Sequence, residues 1–174
     1  KKYELEIKRS DERYKMLIDS ASDAIFIMDV CGNFLQTNSK GYLMLGYSLE
    51  ELMKMSISNV IPEEDLLYEP LKLDNVETGK SFFSERRLKC KDGNIIYVEA
   101  SLTMLPENSI QAILRDTSER RKAQEELVKS QRNYKNLIEY SPDGIFIHDD
   151  KGNVVFANPA ALKIMGISTL EELI

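Results

Sequence analysis

The sequence has few of the side chains that most often carry metal, redox or catalytic chemistry. Its 174 residues contain one histidine, two cysteines and no tryptophan. Cys31 and Cys90 do not have the spacing of a metal site, and two cysteines do not make a disulfide framework, which favours a reducing, cytoplasmic compartment. With only His148, no nucleophile, base and orienting group can be assembled. We therefore expect a chain that is not itself an enzyme and has no metal site.

Long apolar runs and an excess of positive charge are also missing. No run approaches the roughly 20 apolar residues of a membrane-spanning helix, so direct membrane insertion is not expected. The 23 basic residues are outnumbered by 29 acidic ones, which gives a net charge of −6. Because a phosphate backbone attracts basic surfaces, nucleic acid is not an expected partner.

What the sequence does contain is an internal repeat at a shift of 120 residues. Identical pairs fall at strand, turn and cap positions, among them Asp23/Asp143, Ile25/Ile145, Asp29/Asp149, Gly32/Gly152, Asn33/Asn153, Asn38/Asn158 and Gly46/Gly166. After a one-residue insertion in the second copy, Leu49-Glu50-Glu51-Leu52 returns as Leu170-Glu171-Glu172-Leu173. A period this long excludes a solenoid, so each copy is predicted to be a domain with its own core. The second copy of the repeat is shorter than the first. We therefore expect this sequence to be an internal fragment of a longer chain.

Local patterns in the first copy predict a mixed α+β unit. Helical spacing of apolar residues predicts a helix over residues 2–20. Apolar runs on both sides of the Cys31-Gly32-Asn33 turn predict a β-hairpin. Short helices are expected after Asn38, including one that begins with a capping box at residues 48–51.

The rest of the first copy predicts a longer helix and three strands. The helix is expected to run from Pro62 toward Gly79, and the strands are expected over residues 82–90, 95–105 and 110–115. This order favours one five-stranded antiparallel sheet, with strand one beside the last three strands and helices over one face.

Alternation along the strands defines a predicted core face with an unusual polar pair. One face of the strand from Ile95 carries Ile96, Val98, Ala100, Leu102 and Met104, and one face of the preceding strand carries Phe82, Ser84, Arg86, Leu88 and Cys90. An unpaired buried guanidinium is very costly, so Arg86 must find a partner. One hypothesis is a small carboxylate or phosphate ligand held by Arg86 beneath the long helix, in a pocket that includes Met28, Ser84, Arg86, Val98, Ala100 and Leu102. The other is that Arg86 lies at the sheet edge and meets water or Glu63, Glu64 or Asp65.

A second pattern repeats in the two predicted helices that precede the copies. Spacings that alternate between four and three, typical of a coiled-coil seam, connect Tyr3, Ile7, Ser10, Tyr14 and Leu17 in one helix and Ala123, Leu127, Ser130, Tyr134 and Leu137 in the other. The candidates for a homodimer seam among them are Tyr3, Ile7, Tyr14, Leu17, Ala123, Leu127, Tyr134 and Leu137. The alternative is one apolar stripe in each helix that packs on its own sheet.

The same order of motifs resembles a PAS sensory domain. The resemblance rests on residues 23–29, Gly32-Asn33, Asn38, residues 45–52 and Lys91-Asp92-Gly93, and in the second copy on Asp143-Gly144-Ile145-Phe146-Ile147 and Asn158-Pro159-Ala160-Ala161. The segment from Arg115 to Lys122 resembles the family's Asp-Ile-Thr signal-transmission motif followed by Glu-Arg-Lys. It departs from that motif by having Thr117-Ser118 where the family usually has an aliphatic residue and Thr.

The resemblance implies a sensory relay in a larger signalling protein, commonly a histidine kinase with a downstream output domain. Its expected parts are an N-terminal helix over residues 1–22, a complete domain over 23–117, a linker helix over 118–140 and an incomplete second domain over 141–174. Asp116, Thr117 and Ser118 would transmit the signal from the sheet to the linker helix. The histidine and the cysteine segment that the family uses for haem and flavin are missing, so neither cofactor is expected. A ligand-free dimerisation or protein-interaction scaffold is the alternative function.

Overall fold

The structure is a computed structural model, and it describes residues 2–71, 73, 76, 78 and 80–169. The chain divides into two compact units, Lys1–Glu119 and Arg120–Ile174. Among the described residues, no helix is both long and apolar enough to cross a membrane.

The first unit contains one five-stranded antiparallel sheet and several short helices. In chain order its elements are α1 (Lys2–Asp19), β1 (Ala24–Asp29), β2 (Phe34–Thr37), α2 (Ser39–Leu45), α3 (Leu49–Leu52), a 3-10 turn (Ile57–Val60), α4 (Glu63–Tyr68), β3 (Ser81–Lys89), β4 (Ile95–Met104) and β5 (Ser109–Asp116). The strand order is β2-β1-β5-β4-β3, so the first strand pairs with the last one. This confirms the predicted α+β class and the predicted sheet.

The turn between β1 and β2 depends on the backbone freedom of Gly32 and on the carboxylate of Asp29. Gly32 has a φ of 86°, and a Cβ there would lie 2.7 Å from Ile57. The Asp29 carboxylate accepts hydrogen bonds from the backbone N–H groups of Cys31 and Asn33, at 2.9 Å each. The Asn33 side-chain amide also donates to Asp29 Oδ2 at 2.7 Å. This side-chain bond, followed by the backbone bonds, holds the pKa of Asp29 below its ordinary value. Turn chemistry therefore fixes the hairpin.

The prediction of a helix from Pro62 toward Gly79 is wrong in the length of that helix. The helix α4 ends at Tyr68, and Glu69 has φ −138° and ψ 81°, outside the helical region. The ring of Pro70 disfavours a helical conformation in the residue before it, which accounts for the early end. Gly79 itself, like Leu170-Glu171-Glu172-Leu173, lies outside the described residues.

The hydrophobic core lies between the sheet and the helical segment. The largest fully buried apolar side chains come from both layers and include Phe26, Met28, Leu45, Leu52, Val60, Leu88, Val98 and Ile110. The predicted core face of β4 is confirmed, because Val98 and Ala100 are buried and their alternate neighbours Ile96, Leu102 and Met104 pack against the core. Part of this layer leaves room for a small cavity.

The second unit repeats the start of the first unit. It contains most of α5 (Ser118–Glu139), then β6 (Phe146–His148), β7 (Val154–Ala157) and α6 (Pro159–Met165). Phe146 pairs with Ala157 and His148 with Val154, and the register shifts between Ile147 and His148. The hairpin of β1 and β2 has the same pairings and the same shift 120 positions earlier. The sequence repeat is therefore also a repeat of backbone structure.

Candidate ligand cavity and the two ends of the sensory unit

A cavity of about 50 Å³ lies under the inner face of the sheet. Its described lining comes from four strands and from the segment before β3: Met28, Ile57, Ile61, Leu71, Leu73, Val76, Phe82, Ser84, Arg86, Leu88, Val98, Ala100, Leu102, Ala112 and Leu114. Apart from Ser84 and Arg86, these residues are apolar. Such a lining suits a compact, mostly apolar molecule with one polar group.

The structure brings together all six residues that the strand pattern singled out as a pocket. Met28, Ser84, Arg86, Val98, Ala100 and Leu102 all line the cavity. The cross-strand register places Ser84 opposite Ala100 and Arg86 opposite Val98. Alternation in β5 would also have indicated Ala112 and Leu114, whereas the covering residues from 57 to 76 have no local pattern that points to a cavity.

Arg86 is the charged group of the described lining, and its side chain is only 13% exposed. Its Nη1 donates to the backbone carbonyl of Glu69 at 2.9 Å and lies 3.2 Å from Glu69 Oε2. Glu69, one residue past the end of α4, was not among the partners considered from sequence. Because α4 ends early, its C-terminal end reaches the guanidinium.

Glu64 and Asp65, which were the expected partners of Arg86, instead bind Arg87. Arg87 Nε donates to Asp65 Oδ2 at 2.8 Å, and Nη2 contacts both Asp65 Oδ1 and Glu64 Oε1. The guanidinium of Arg87 holds the pKa of the Asp65 carboxyl below its ordinary value. Two adjacent arginines of the edge strand β3 therefore hold the two ends of α4.

The end of β5 is fixed to β4 by the residues that resemble the transmission motif. Thr117 donates from both N and Oγ1 to the carbonyl of Tyr97, at 2.8 and 3.2 Å. The Tyr97 N–H donates to Ser118 Oγ at 2.9 Å, and the Ser118 N–H donates to Asp116 Oδ1 at 2.8 Å. The hydroxyls of Thr117 and Ser118 thus both bind one residue of β4, so the start of α5 follows the position of that strand.

The segment around the start of β1 is held by Asn38, the residue after which short helices are predicted from sequence. Its Oδ1 accepts from Ile25 N and Gly41 N, and its Nδ2 donates to the carbonyls of Ile18 and Asp23, all within 2.9–3.1 Å. One buried amide therefore joins α1, β1 and α2. Asn158 makes the equivalent four bonds in the second unit, to Ile145 N, Ala161 N, Ile138 O and Asp143 O.

An ion pair connects the start of the unit with its end. Arg115 Nε and Nη2 donate to the two carboxylate oxygens of Asp23, at 3.1 and 2.8 Å. The hydrogen bond from Arg115 lowers the pKa of the Asp23 carboxyl. A two-pronged pair of this kind fixes orientation as well as distance. Arg115 directly follows Leu114, which lines the cavity.

The candidate dimer-seam residues are exposed wherever the structure describes their side chains. Tyr3, Tyr14 and Leu17 are exposed in α1, and Ala123, Leu127, Tyr134 and Leu137 are exposed in α5. The side chain of Ile7 lies outside the description. The alternative to a dimer seam is one apolar stripe in each helix that packs on its own sheet. At these positions the stripes are not buried.

Metal and cofactor chemistry finds little support in the part of the chain that is described. No group of three or more His, Cys, Asp or Glu residues is arranged there to hold a metal ion. The described cavity lining contains neither histidine nor cysteine. Cys31 is exposed, and Cys90, whose Sγ lies 3.5 Å from the Met44 carbonyl oxygen, is buried away from the lining.

A five-stranded antiparallel sheet that covers a small cavity under short helices, with a long helix leaving its last strand, defines one class of α+β domain. Residues 12–117 match the family described as the PAS fold, and residues 132–174 match a PAS domain family. The first match covers more than half of the 174 residues. The chain belongs to the PAS family.

Comparison with known proteins relates the chain to sensor kinases. It is 26% identical over 168 residues to sporulation kinase E of Bacillus subtilis, which covers 95% of this chain and 22% of that protein. A solved domain of a sensory box sensor histidine kinase/response regulator from Geobacter sulfurreducens is 27% identical with a TM-score of 0.55, covering 63% of this chain and 96% of that one. The chain spans less than a quarter of the kinase's length and is homologous to PAS domains of sensor histidine kinases.

A further solved structure agrees in fold. The PAS domain of an HTR-like protein from Haloarcula marismortui has a TM-score of 0.58 at 23% identity, and the match covers 66% of this chain and 98% of that domain.

Proposed function

We propose that this chain is a sensory relay of a larger signalling protein, and that its first unit detects a compact anion at Arg86. The observation that carries the proposal is an arginine whose side chain is only 13% exposed, in the wall of an otherwise almost apolar cavity. Keeping a charge so far from water costs several kcal/mol unless it is well paired. The exposed Glu69 supplies part of this pairing from the surface, and a carboxylate ligand would supply more of it from inside the cavity.

The lining favours one class of anion. A short-chain monocarboxylate places its two oxygens on Arg86 and the Ser84 hydroxyl and its alkyl part against the apolar side chains. A phosphate would leave polar oxygens against methyl groups, which is unfavourable. A cavity of about 50 Å³ suits an acid of a few carbon atoms.

The strand register supports a short route from the cavity to α5. Val98 lines the cavity and pairs directly with Asp116. Its neighbour Tyr97 binds Thr117 and Ser118, so a shift of β4 under the ligand reaches the start of α5 within one residue. Leu114 also lines the cavity, and the next residue, Arg115, holds Asp23 at the start of the unit. Ligand binding would then re-aim α5 by a population shift.

The wider assembly belongs to the same proposal. The exposed stripes on α1 and α5 support a homodimer, which we place in the cytoplasm. The kinase relatives support a downstream output domain in the same polypeptide, reached through the linker helix. The second PAS unit would receive the signal, because Asn158 ties the last turn of α5 to β6. The boundaries 1–22, 23–117, 118–140 and 141–174 remain the proposed division of this relay.

Thermal denaturation with a panel of small acids tests the site. At ten times Kd, propionate should stabilise the wild type by about 1.4 kcal/mol, a rise in Tm of roughly 3–6 °C. The Arg86→Ala variant should lose this rise, and the neutral analogue propionamide should give none with either protein. If no acid in the panel raises the Tm, the ligand site is refuted.

A ligand-free interaction scaffold is the second candidate. The observation in its favour is that the small cavity is closed almost entirely by apolar side chains such as Leu71, Phe82 and Leu102. A scaffold predicts dimerisation with no ligand-dependent change in Tm, so the same acid panel separates the two functions.

A further inference from the structure

The anion site proposed above already holds an anion of the protein's own. Glu69 presents two oxygens to Arg86 Nη1, its backbone carbonyl at 2.9 Å and its carboxylate Oε2 at 3.2 Å. Its own N–H closes the last turn of α4 by donating to Asp65 O at 2.8 Å. Glu69 therefore connects the end of α4 to the charged group of the cavity.

The two members of this pair differ strongly in their surroundings. The Arg86 side chain is 13% exposed and forms part of the cavity wall, whereas the Glu69 side chain is 66% exposed. The carboxylate can return to water at little cost, whereas most of the Arg86 side chain is shielded from solvent. An ion pair with one exposed partner is weak, because water screens it and competes for the exposed group. A second carboxylate that reaches Arg86 from the cavity side can therefore replace Glu69.

We propose that Glu69 is a built-in competitor for the ligand, so that an acid bound at Arg86 releases the Glu69 side chain and with it the end of α4. This inference rests on the anion site of the proposed function and adds its regulation. The residue sets the affinity of the site, because each bound ligand must displace the internal carboxylate. It also connects occupancy of the cavity with the position of the segment that covers it.

The contacts of α4 define which part of the cover moves. Arg87 holds Asp65 and Glu64 in the first turn from the other face of β3, and these contacts do not involve the cavity. Leu71, Leu73 and Val76, which line the cavity, follow Glu69 in the chain. Release of Glu69 therefore loosens the C-terminal end of α4 and the covering residues, while the first turn stays in place.

Calorimetric titration of the 174-residue chain with sodium propionate tests the competition. The Glu69→Gln variant keeps the backbone carbonyl and the side-chain shape but loses the competing charge, so its Kd should fall about two- to five-fold relative to the wild type. The matched control is Glu63→Gln, an exposed glutamate on the same helix, which should leave the Kd unchanged. The Arg86→Gln variant should abolish binding in every background.

The outcomes separate this inference from the proposal on which it rests. If the wild type binds propionate through Arg86 and the Glu69→Gln and Glu63→Gln variants have equal Kd values, the competition is refuted while the anion site stands. If no variant shows Arg86-dependent binding, the site and the competition are both refuted.

Hydrogen exchange on the unmodified chain supplies a second measurement that needs no variant. Saturating propionate should speed amide exchange over residues 66–71 and leave residues 63–65 unchanged, and propionamide should do neither. Slower exchange over 66–71 on adding propionate would show that the ligand tightens the cover, which contradicts the release of Glu69.

Discussion

At the scale of single residues, Asn38 shows how one polar side chain can organise a domain start. It is buried with a relative exposure of 2%, and its amide makes four hydrogen bonds to three different elements. Buried polar groups are tolerated when they are fully satisfied, and networks of this kind specify one arrangement. The same four bonds around Asn158 show that the arrangement is a property of the repeated sequence and its local geometry.

Replacement of Asn38 by alanine should therefore destabilise the first unit. The N–H groups of Ile25 and Gly41 would lose their acceptor, and two such losses cost roughly 2–4 kcal/mol in total. The measurement is the free energy of unfolding in urea, with Gln36→Ala, a change to an exposed amide on β2, as the control. Equal unfolding free energies for the two variants would show that the network around Asn38 contributes nothing.

At the scale of elements, the exit from β5 is built from three consecutive residues with different roles. Thr117 and Ser118 bind Tyr97 on the neighbouring strand, and the Asp116 carboxylate accepts from the Ser118 N–H at the start of α5. The Thr117-Ser118 pair, which departs from the family's usual aliphatic residue and Thr, keeps two hydroxyls in contact with β4. Hydrogen bonds thus connect strands β4 and β5 with the start of α5.

The Asp116→Ala variant should separate the helix start from the strand without unfolding the domain. Loss of a capping acceptor costs about 0.5–2 kcal/mol, well below the stability of a typical domain. Amide exchange over residues 118–121 should become faster, and the response of the Tm to propionate should persist. A Glu107→Ala change in the exposed turn between β4 and β5 is the control. If Asp116→Ala abolishes cooperative unfolding altogether, the motif is a structural requirement of the fold and not a coupling.

Sequence patterns predict the sheet well and the cavity cover poorly, for physical reasons. Period-two alternation in β4 indicates its core face, and the Cys31-Gly32-Asn33 turn indicates the first hairpin, because both signals are local. The end of α4 is also encoded locally, in Pro70, although the helix predicted from sequence continues past this proline. The pairing of Arg86 with Glu69 depends on where that helix ends, so no local pattern indicates it.

At the scale of the whole molecule, the proposed relay requires a second copy of the chain to give α5 a partner. Leu127, Tyr134 and Leu137 are exposed at seam spacing on a helix with no buried residues. Apolar side chains that recur every three or four positions pack into the holes of a facing helix in a coiled coil. A homodimer would bury them and let the two exits from β5 act on one pair of helices.

The dimer can be tested with two neighbouring substitutions of the same chemistry. Leu127 on the proposed seam is 52% exposed and Val128 beside it is 51% exposed, so both accept a glutamate equally well in the isolated chain. Burial of a leucine is worth about 1.5–3 kcal/mol, so Leu127→Glu should weaken the dimer about tenfold or more. The Val128→Glu variant should leave the dimer intact, because residue 128 lies off the seam. Sedimentation equilibrium over a range of concentrations measures both. A wild type that stays monomeric, or equal weakening by the two changes, would rule out this seam and leave the signal to pass within a single chain.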